Sequence, residues 1–329
     1  MRILVIGGTV FVGRHFAEIA RDAGHHVTVF HRGTKGAGIV PGVNEIFGDR
    51  DGGLDALGNA EWDAVVDSCG YVPRIVRQSV QALTERADRY VFVSTISVYR
   101  FDGIESLPED APKQYLEDPT VEQVTGETYG GLKVICEQEV EQGFADHGVQ
   151  VRAGLIAGPY DPTNRFTYWV DRFGRGGPVL VPTRLDAPLQ TIDARDLSAF
   201  MLHAIEDGLS GPYNVCGPVA PATFGDMIEA CRTLNPEGRP VPIDPETMEA
   251  YGVTPWTDLP LVLPFDGSAD TMNRGDNSKA LAAGLQLRPW AETVQATWEW
   301  RRSQPDDVKL SHGMDRAREL EVLAKLGEA

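Results

Sequence analysis

Apolar positions in this chain recur with two different spacings, and the first thirty or so residues show both. Arg2-Ile3-Leu4-Val5-Ile6 is a β-branched, almost wholly apolar run, the pattern of a buried strand. Val12, Phe16, Ile19, Ala20 and Ala23 then recur at helical spacing, and Gly24 stops that helix. Val27-Thr28-Val29-Phe30 is a second buried strand. Between the first strand and the helix lies Gly7-Gly8-Thr9-Val10-Phe11-Val12-Gly13. Strand, glycine-rich turn, helix and strand in this order form the frame of a dinucleotide-binding unit. Gly7 permits a backbone path that other residues resist, and Gly13 lets the helix lie close to the sheet. The helix N-terminus then presents N–H groups and the positive end of its dipole to a pyrophosphate. Gly7, Thr9, Val10, Phe11, Val12 and Gly13 are therefore candidate cofactor contacts. A G-x-x-G-x-x-G register would put its middle glycine at Val10, whose side chain narrows the approach of the backbone to the phosphates.

The alternation continues. Val43–Phe47 reads as a third strand, and Trp62–Asp67 as a fourth, followed by Ser68-Cys69-Gly70. A helix is predicted from Tyr71 to about Ala87, a fifth strand over Tyr90–Ser94, a helix over Tyr129–His147 and a sixth strand over Val149–Ala153. Strands alternating with helices define an α/β chain with a Rossmann-type, doubly wound parallel sheet. Ligands of such sheets bind beyond the strand C-termini, so Gly7, Ser68, Cys69, Gly70 and Thr95 should converge. Residues 100–127 are acidic and proline-rich and read as a surface loop.

Beyond residue 157 the pattern weakens. Helices are expected over Phe166–Gly174, Arg195–Glu206, Thr223–Leu234, Ala291–Arg302 and Met314–Leu326, with strands over Leu189–Asp193 and Tyr213–Val215. Residues 238–277 carry no readable period. The expected organisation is a dinucleotide-binding domain over 1–156, to which 189–206 return, and a smaller C-terminal α/β, mainly substrate-binding domain over 157–329.

Charge narrows the partners. The chain has 329 residues and a formal net charge of −18, which repels a phosphate backbone and argues against nucleic acid or an anionic membrane as the main partner. No run approaches a membrane span, and no signal-peptide cleavage pattern follows the first strand. The four cysteines (Cys69, Cys136, Cys216, Cys231) are scattered, as in a cytoplasmic protein with reduced thiols, and no metal-ligand spacing occurs. A small-molecule substrate and, optionally, a second copy of the chain are the expected partners.

Candidate chemistry sits at three strand ends. His31-Arg32-Gly33 follows the second strand, where a carboxylate would bind the ribose hydroxyls of NAD. Arg32 would instead suit a 2′-phosphate, which favours NADP(H) and leaves NAD(H) as the alternative; a solvent-exposed turn arginine explains it equally. Asp49 stands where an adenine amino group could be met. Tyr129 and Lys133 are spaced to share a helix face, and an ammonium group beside a phenol favours the phenolate. A tyrosine so tuned exchanges a proton with a substrate hydroxyl, and Thr95 at the fifth strand end can hold the substrate oxygen. Alone, Y-x-x-x-K is a weak pattern; joined to the glycine-rich unit and a strand ending in Ser-Thr it is specific.

GGTVFVG, STISVYR, YGGLK and QTIDARDL, within residues 7–197, together resemble the short-chain dehydrogenase/reductase superfamily, in its extended branch of NAD-dependent epimerases and dehydratases. The resemblance implies that Thr95, Tyr129 and Lys133 are catalytic, and that Lys133 reaches the nicotinamide ribose. GGTVFVG with FHRG and GPYDPTNRF is similar to an atypical subgroup that includes the chloroplast stem-loop-binding proteins. It implies an oxidoreductase or epimerase acting on a hydroxyl/carbonyl pair of a sugar, a nucleotide-sugar or another small molecule. The rival is a non-catalytic or RNA-binding protein that keeps the fold. Ile96 and Ser97 replace the acidic residues of sugar-nucleotide 4,6-dehydratases, so that dehydration chemistry is not expected. Ser97, Arg165 and Tyr168 are substrate-side candidates; Arg172, Arg175 and Arg184 could bind an anion or simply face solvent, and Tyr168 and Trp169 could serve the core.

Overall fold

The computed structural model of the chain describes residues 1–102, 104–218, 222–267, 269–305 and 308–328. It divides into two compact units. The first comprises Met1–Gly154, Ala194–Gly217 and Gly275–Gln286; the second comprises Leu155–Asp193, Pro218–Arg274 and Leu287–Ala329.

The first unit is built on a seven-stranded parallel sheet. Its elements begin β1 (Arg2–Ile6), α1 (Phe11–Asp22), β2 (His26–His31), β3 (Asn44–Phe47), β4 (Ala64–Asp67), α2 (Pro73–Leu83), β5 (Tyr90–Thr95), α3 (Tyr129–Phe144) and β6 (Gly148–Ala153). The helix Ala194–Glu206 and the strand Gly211–Val215 complete the winding. The strand order is Gly211–Val215, β6, β5, β4, β1, β2, β3. The chain therefore runs outward from β1 to β3, then returns to the other side of β1 and runs outward again. With right-handed crossovers, this reversal places the two sets of helices on opposite faces. Accordingly α1 packs on the helix Ala194–Glu206, and α2 packs on α3. The reversal lies between β1 and β4, the place where such sheets open a crevice beyond the strand ends.

Apolar periodicity explains these elements. Ile3, Leu4, Val5 and Ile6 are all buried, as are Val65 and Val66 of β4 and Val91 and Phe92 of β5. Leu4, Phe30, Val76, Leu83, Phe92, Val140 and Phe144 share one core between the sheet and the α2–α3 layer. The predicted helix after Tyr71 is shorter than expected: it starts at Pro73, whose fixed φ suits a first turn, and ends at Leu83.

The second unit has two small parallel sheets, Leu155–Ala157 with Thr191–Asp193 and Gly177–Pro182 with Gly238–Ile243. Thr191–Asp193 pairs inside this unit, so of the stretch 189–206 only the helix belongs to the first. The strand Gly238–Ile243 lies in a segment without readable period because Pro240 and Pro242 interrupt it. A two-stranded sheet leaves each strand one open edge, where missing N–H donors are tolerated. Phe166, Trp169, Phe173, Leu180, Phe224, Ile228, Val294 and Leu323 form its core.

Candidate active site

The glycine-rich turn is shaped by close approach. Gly7 adopts φ +108° and donates its N–H to the Phe30 carbonyl at 3.0 Å. A Cβ on Gly7 or on Gly13 would lie 2.5 Å from Ser68 Oγ, and one on Gly8 2.4 Å from Val29. Position 10 is different: Val10 is 39 % exposed, so its side chain lies at the surface of the turn and not in its floor. Gly8, which the motif register passes over, supplies the close contact with β2. Phe11 opens α1 with φ +42°, a strained conformation for an aromatic residue, and Thr9 donates its N–H to the Gly7 carbonyl. Val10 gives α1 no side-chain cap, and no acidic residue stands in the first turn. The helix end therefore keeps its capacity for an anion. Val12 is buried, and its carbonyl faces Ser198 Oγ at 3.4 Å.

Around the ends of β2 and β3 the sequence missed a carboxylate. His31 is buried; its Nε2 lies 3.2 Å from Glu45 Oε1, and Gly33 N–H donates to its Nδ1. Glu45 also accepts from Gly38 N–H, which folds the loop back onto β3. Arg32 is exposed, as is Asp49, whose Oδ1 accepts from Asp51 N–H at 3.0 Å.

The ends of β4 and β5 meet the start of α3. Tyr129 is the first residue of α3 and half-buried, and Lys133 lies one turn further on the same helix. A Cβ on Gly130 would sit 2.2 Å from the Ser97 carbonyl oxygen. The absence of a side chain is thus what lets the first turn of α3 press against the strand end that carries Thr95. Thr95 is 8 % exposed, and its Oγ1 accepts from Ser97 N–H at 3.1 Å. Lys133 is 2 % exposed. Its Nζ donates to the Gly70 and Val93 carbonyls, both at 2.7 Å, and sits 3.9 Å from the Phe92 ring centroid. Burial pulls its ammonium down to about 8. Ser68 Oγ donates to the Ile6 carbonyl at 2.9 Å, and Cys69 N–H to Asp67 Oδ1 at 3.2 Å. Tyr71, to which the sequence reading gave no chemical role, has its ring 5.5 Å from Lys133 Nζ and 6.4 Å from the Tyr129 ring. Its phenol is pushed up to about 12 by desolvation and by the neighbouring Tyr129.

Ser94, beside Thr95, is taken up by structure: its Oγ donates to Glu137 Oε1 at 2.6 Å. Glu137 in turn pairs with Arg152 of β6, Nε to Oε1 at 2.9 Å and Nη2 to Oε2 at 2.8 Å. Arg152 Nη1 also donates to Tyr99 Oη, which donates to Asn214 Oδ1. A charged residue inside a buried strand must find such a partner, so Arg152 was the available signal for this network. Breaking a buried pair of this kind by removing one partner costs roughly 3–5 kcal/mol.

The substrate-side candidates of the second unit divide. Tyr168 is 1 % exposed and holds its ring edge-on to Trp169 at 5.0 Å, so it serves the core and presents no face to a ligand. The amphipathic helix Arg165–Arg175 turns this side inward. Arg172 pairs with Glu319, Arg175 with Asp171 and Arg184 with Asp270, all internal partners. Arg165 is half-buried, with Nε 3.1 Å from Thr163 Oγ1 and its guanidinium 5.2 Å from the Trp256 ring. Cys136, Cys216 and Cys231 are buried, Cys69 is half-buried, and all four are free. Among the described residues no cluster of His, Cys, Asp and Glu could hold a metal ion, and no helix is long and apolar enough to cross a membrane.

The sequence profile of the NAD dependent epimerase/dehydratase family matches residues 3–216, which carry the whole of this site. The chain belongs to that family. Its members are enzymes of the short-chain dehydrogenase/reductase type. Among curated proteins the chain is similar to the chloroplast stem-loop binding protein of 41 kDa b of Arabidopsis thaliana, 26 % identical over 251 residues. That match covers 70 % of this chain and 62 % of the relative, less than two thirds of its length. The fold is shared with UDP-glucuronic acid 4-epimerase from Bacillus cereus, solved with NAD, at 15 % identity and TM-score 0.66 over 92 % of this chain and 99 % of that one. A putative epimerase from Burkholderia cenocepacia J2315 gives 19 % identity and TM-score 0.68, covering 92 % and 98 %. The human epimerase family protein SDR39U1, solved with NADPH, gives 19 % and 0.60, covering 91 % and 99 %.

Proposed function

We propose that the chain is an NAD(P)-dependent oxidoreductase or epimerase acting on a hydroxyl/carbonyl pair, with a sugar or nucleotide-sugar as the favoured substrate class. The observation that carries the proposal is the approach of α3 to the end of β5: Gly130 leaves room only for the Ser97 carbonyl, two residues past Thr95, and Lys133 Nζ donates to the Val93 carbonyl, two residues before it. The cradle of Gly7, Gly13 and Ser68 and the uncapped start of α1 fit a dinucleotide pyrophosphate. The substrate class follows the nucleotide-sugar epimerases that share the fold.

In this reading Thr95 Oγ1 orients the substrate oxygen and Tyr129 Oη takes or gives its proton. Lys133 has three N–H donors, of which two are held by Gly70 and Val93 carbonyls, so the third serves the nicotinamide ribose. Its charge favours the Tyr129 phenolate. Ser97 lies on the turn beside Thr95, at the substrate side. The bound nicotinamide supplies or accepts the hydride. During turnover on a UDP-sugar, a flat reduced-nicotinamide absorbance with sugar interconversion identifies an epimerase, and absorbance falling in step with product a reductase. No turnover on any hydroxyl/carbonyl pair would refute both.

NADP(H) is the favoured cofactor in this proposal, because Arg32 is exposed at the end of β2 and Glu45 is engaged by His31 and Gly38. A charge-assisted contact contributes about 1.5–3 kcal/mol, or roughly ten- to a hundredfold in affinity. Arg32→Ala is expected to weaken NADPH by that factor and leave NADH unchanged in a fluorescence titration. Equal effects on both would show that Arg32 does not read the phosphate. RNA binding, suggested by the name of the Arabidopsis relative, has the net charge of −18 against it.

A further inference from the structure

Arg50 lies in the turn after β3 and reaches across to Asp67, the last residue of β4. The contact is a two-pronged fork, Nη1 to Oδ1 and Nη2 to Oδ2, each 2.6 Å. Nη2 also donates to Ser79 Oγ at 2.9 Å, and Tyr90 Oη donates to Asp67 Oδ2 at 2.9 Å. Asp67 is fully buried; burial would push its carboxyl up, but the Arg50 charge and hydrogen bonds hold it below the usual carboxylate range. A lysine could supply the charge here but not the planar fork.

What Asp67 holds is the turn that follows it. Cys69 N–H donates to Asp67 Oδ1 at 3.2 Å. A Cβ on Gly70 would lie 3.0 Å from Asp67 Oδ2 and 2.6 Å from the Phe92 ring, so this turn has no slack. On one side, Ser68 Oγ is the atom against which Gly7 and Gly13 close. On the other, the Gly70 carbonyl accepts from Lys133 Nζ at 2.7 Å. The three residues 68–70 thus touch both ends of the candidate cofactor site, and their conformation is fixed by a carboxylate whose own position depends on Arg50.

We propose that Arg50 is a positioning residue for the dinucleotide site: by clamping Asp67 it sets the Ser68–Gly70 turn against the glycine-rich turn and against Lys133. The inference rests on the dinucleotide reading of this site. Arg50 itself has no part in the chemistry; it acts through the backbone of the next strand.

Two variants test the clamp, each read by NADH and NADPH titration, thermal unfolding and hydrogen exchange of the Cys69 amide. Arg50→Lys keeps the charge and loses the fork. It is expected to weaken both dinucleotides at least about tenfold and to speed exchange at Cys69 while β5 stays protected. The double variant Arg50→Met with Asp67→Leu removes both charges together, so thermal stability is expected to recover while affinity is not. A double variant that regains affinity as well as stability would make the pair merely structural and overturn the proposal. So would an Arg50→Lys protein with wild-type affinity and unchanged exchange, which decides the matter if the double variant fails to fold. Should the wild type bind neither dinucleotide, the functional reading falls by that result alone, and the exchange arm still decides the clamp: faster exchange supports it, unchanged exchange overturns it.

Discussion

Tyr129→Phe is expected to lower turnover by about a hundredfold or more while dinucleotide affinity stays within about twofold of wild type. The substitution removes one oxygen and keeps the ring. The ring contact with Tyr71, 6.4 Å between centroids, therefore survives. Lys133 keeps both of its carbonyl partners, because neither belongs to Tyr129. What is lost is the oxygen proposed to exchange a proton with the substrate. Steady-state rates on a true substrate, alongside a reduced-nicotinamide titration, separate the two effects. An unchanged turnover number would remove Tyr129 from the chemistry.

Gly130→Ala should be nearly as damaging, for a geometric reason. Its Cβ would fall 2.2 Å from the Ser97 carbonyl oxygen, a backbone atom that no rotamer change can move aside. The first turn of α3 must then retreat from the end of β5 and carry Tyr129 away from Thr95. A displacement of about 1 Å costs on the order of a hundredfold in rate when it breaks reacting geometry. Gly126→Ala is the control, since a Cβ there meets nothing within 4 Å, and it should leave turnover unchanged. A Gly130→Ala protein that is folded by circular dichroism and fully active would show that the approach of α3 does not set the site.

The parts of this molecule that sequence could reveal are those where a residue's neighbours along the chain determine its role. The β1–α1–β2 unit is one, because strand burial, helix period and turn glycines all lie within one short stretch. The pairing of Tyr129 with Lys133 is another, since helix geometry alone puts them together. The contacts that hold the site in place are of another kind. Arg50 meets Asp67, His31 meets Glu45 and Glu137 meets Arg152 only once neighbouring elements have been folded side by side, at separations that no helix or strand period links. No local period announces such pairs, although an arginine inside the buried strand β6 is a sign that a partner exists. For Tyr168 the sequence is equally consistent with a stacking face for a ligand and a place in the core, and the helix turns it into the core of the second unit. In the stretch 238–277 proline broke the alternation that would have marked a strand, and edge pairing tolerated it.

In the proposed site Lys133, buried and held by two carbonyls, offers its remaining donor to a bound nicotinamide dinucleotide. NADH and NADPH titrations of the wild type and of Lys133→Met, on both sides of pH 8, put this to the test. Above about 8 the lysine gives up its proton, well before an ordinary lysine would, and the third donor is lost with it. Saturable binding by the wild type is expected to weaken as the pH rises through this range. The methionine variant is expected to bind at least about tenfold more weakly below that range and to have lost the pH dependence. A wild type that binds neither dinucleotide, or a Lys133→Met protein that matches it at every pH, would rule out this role for Lys133.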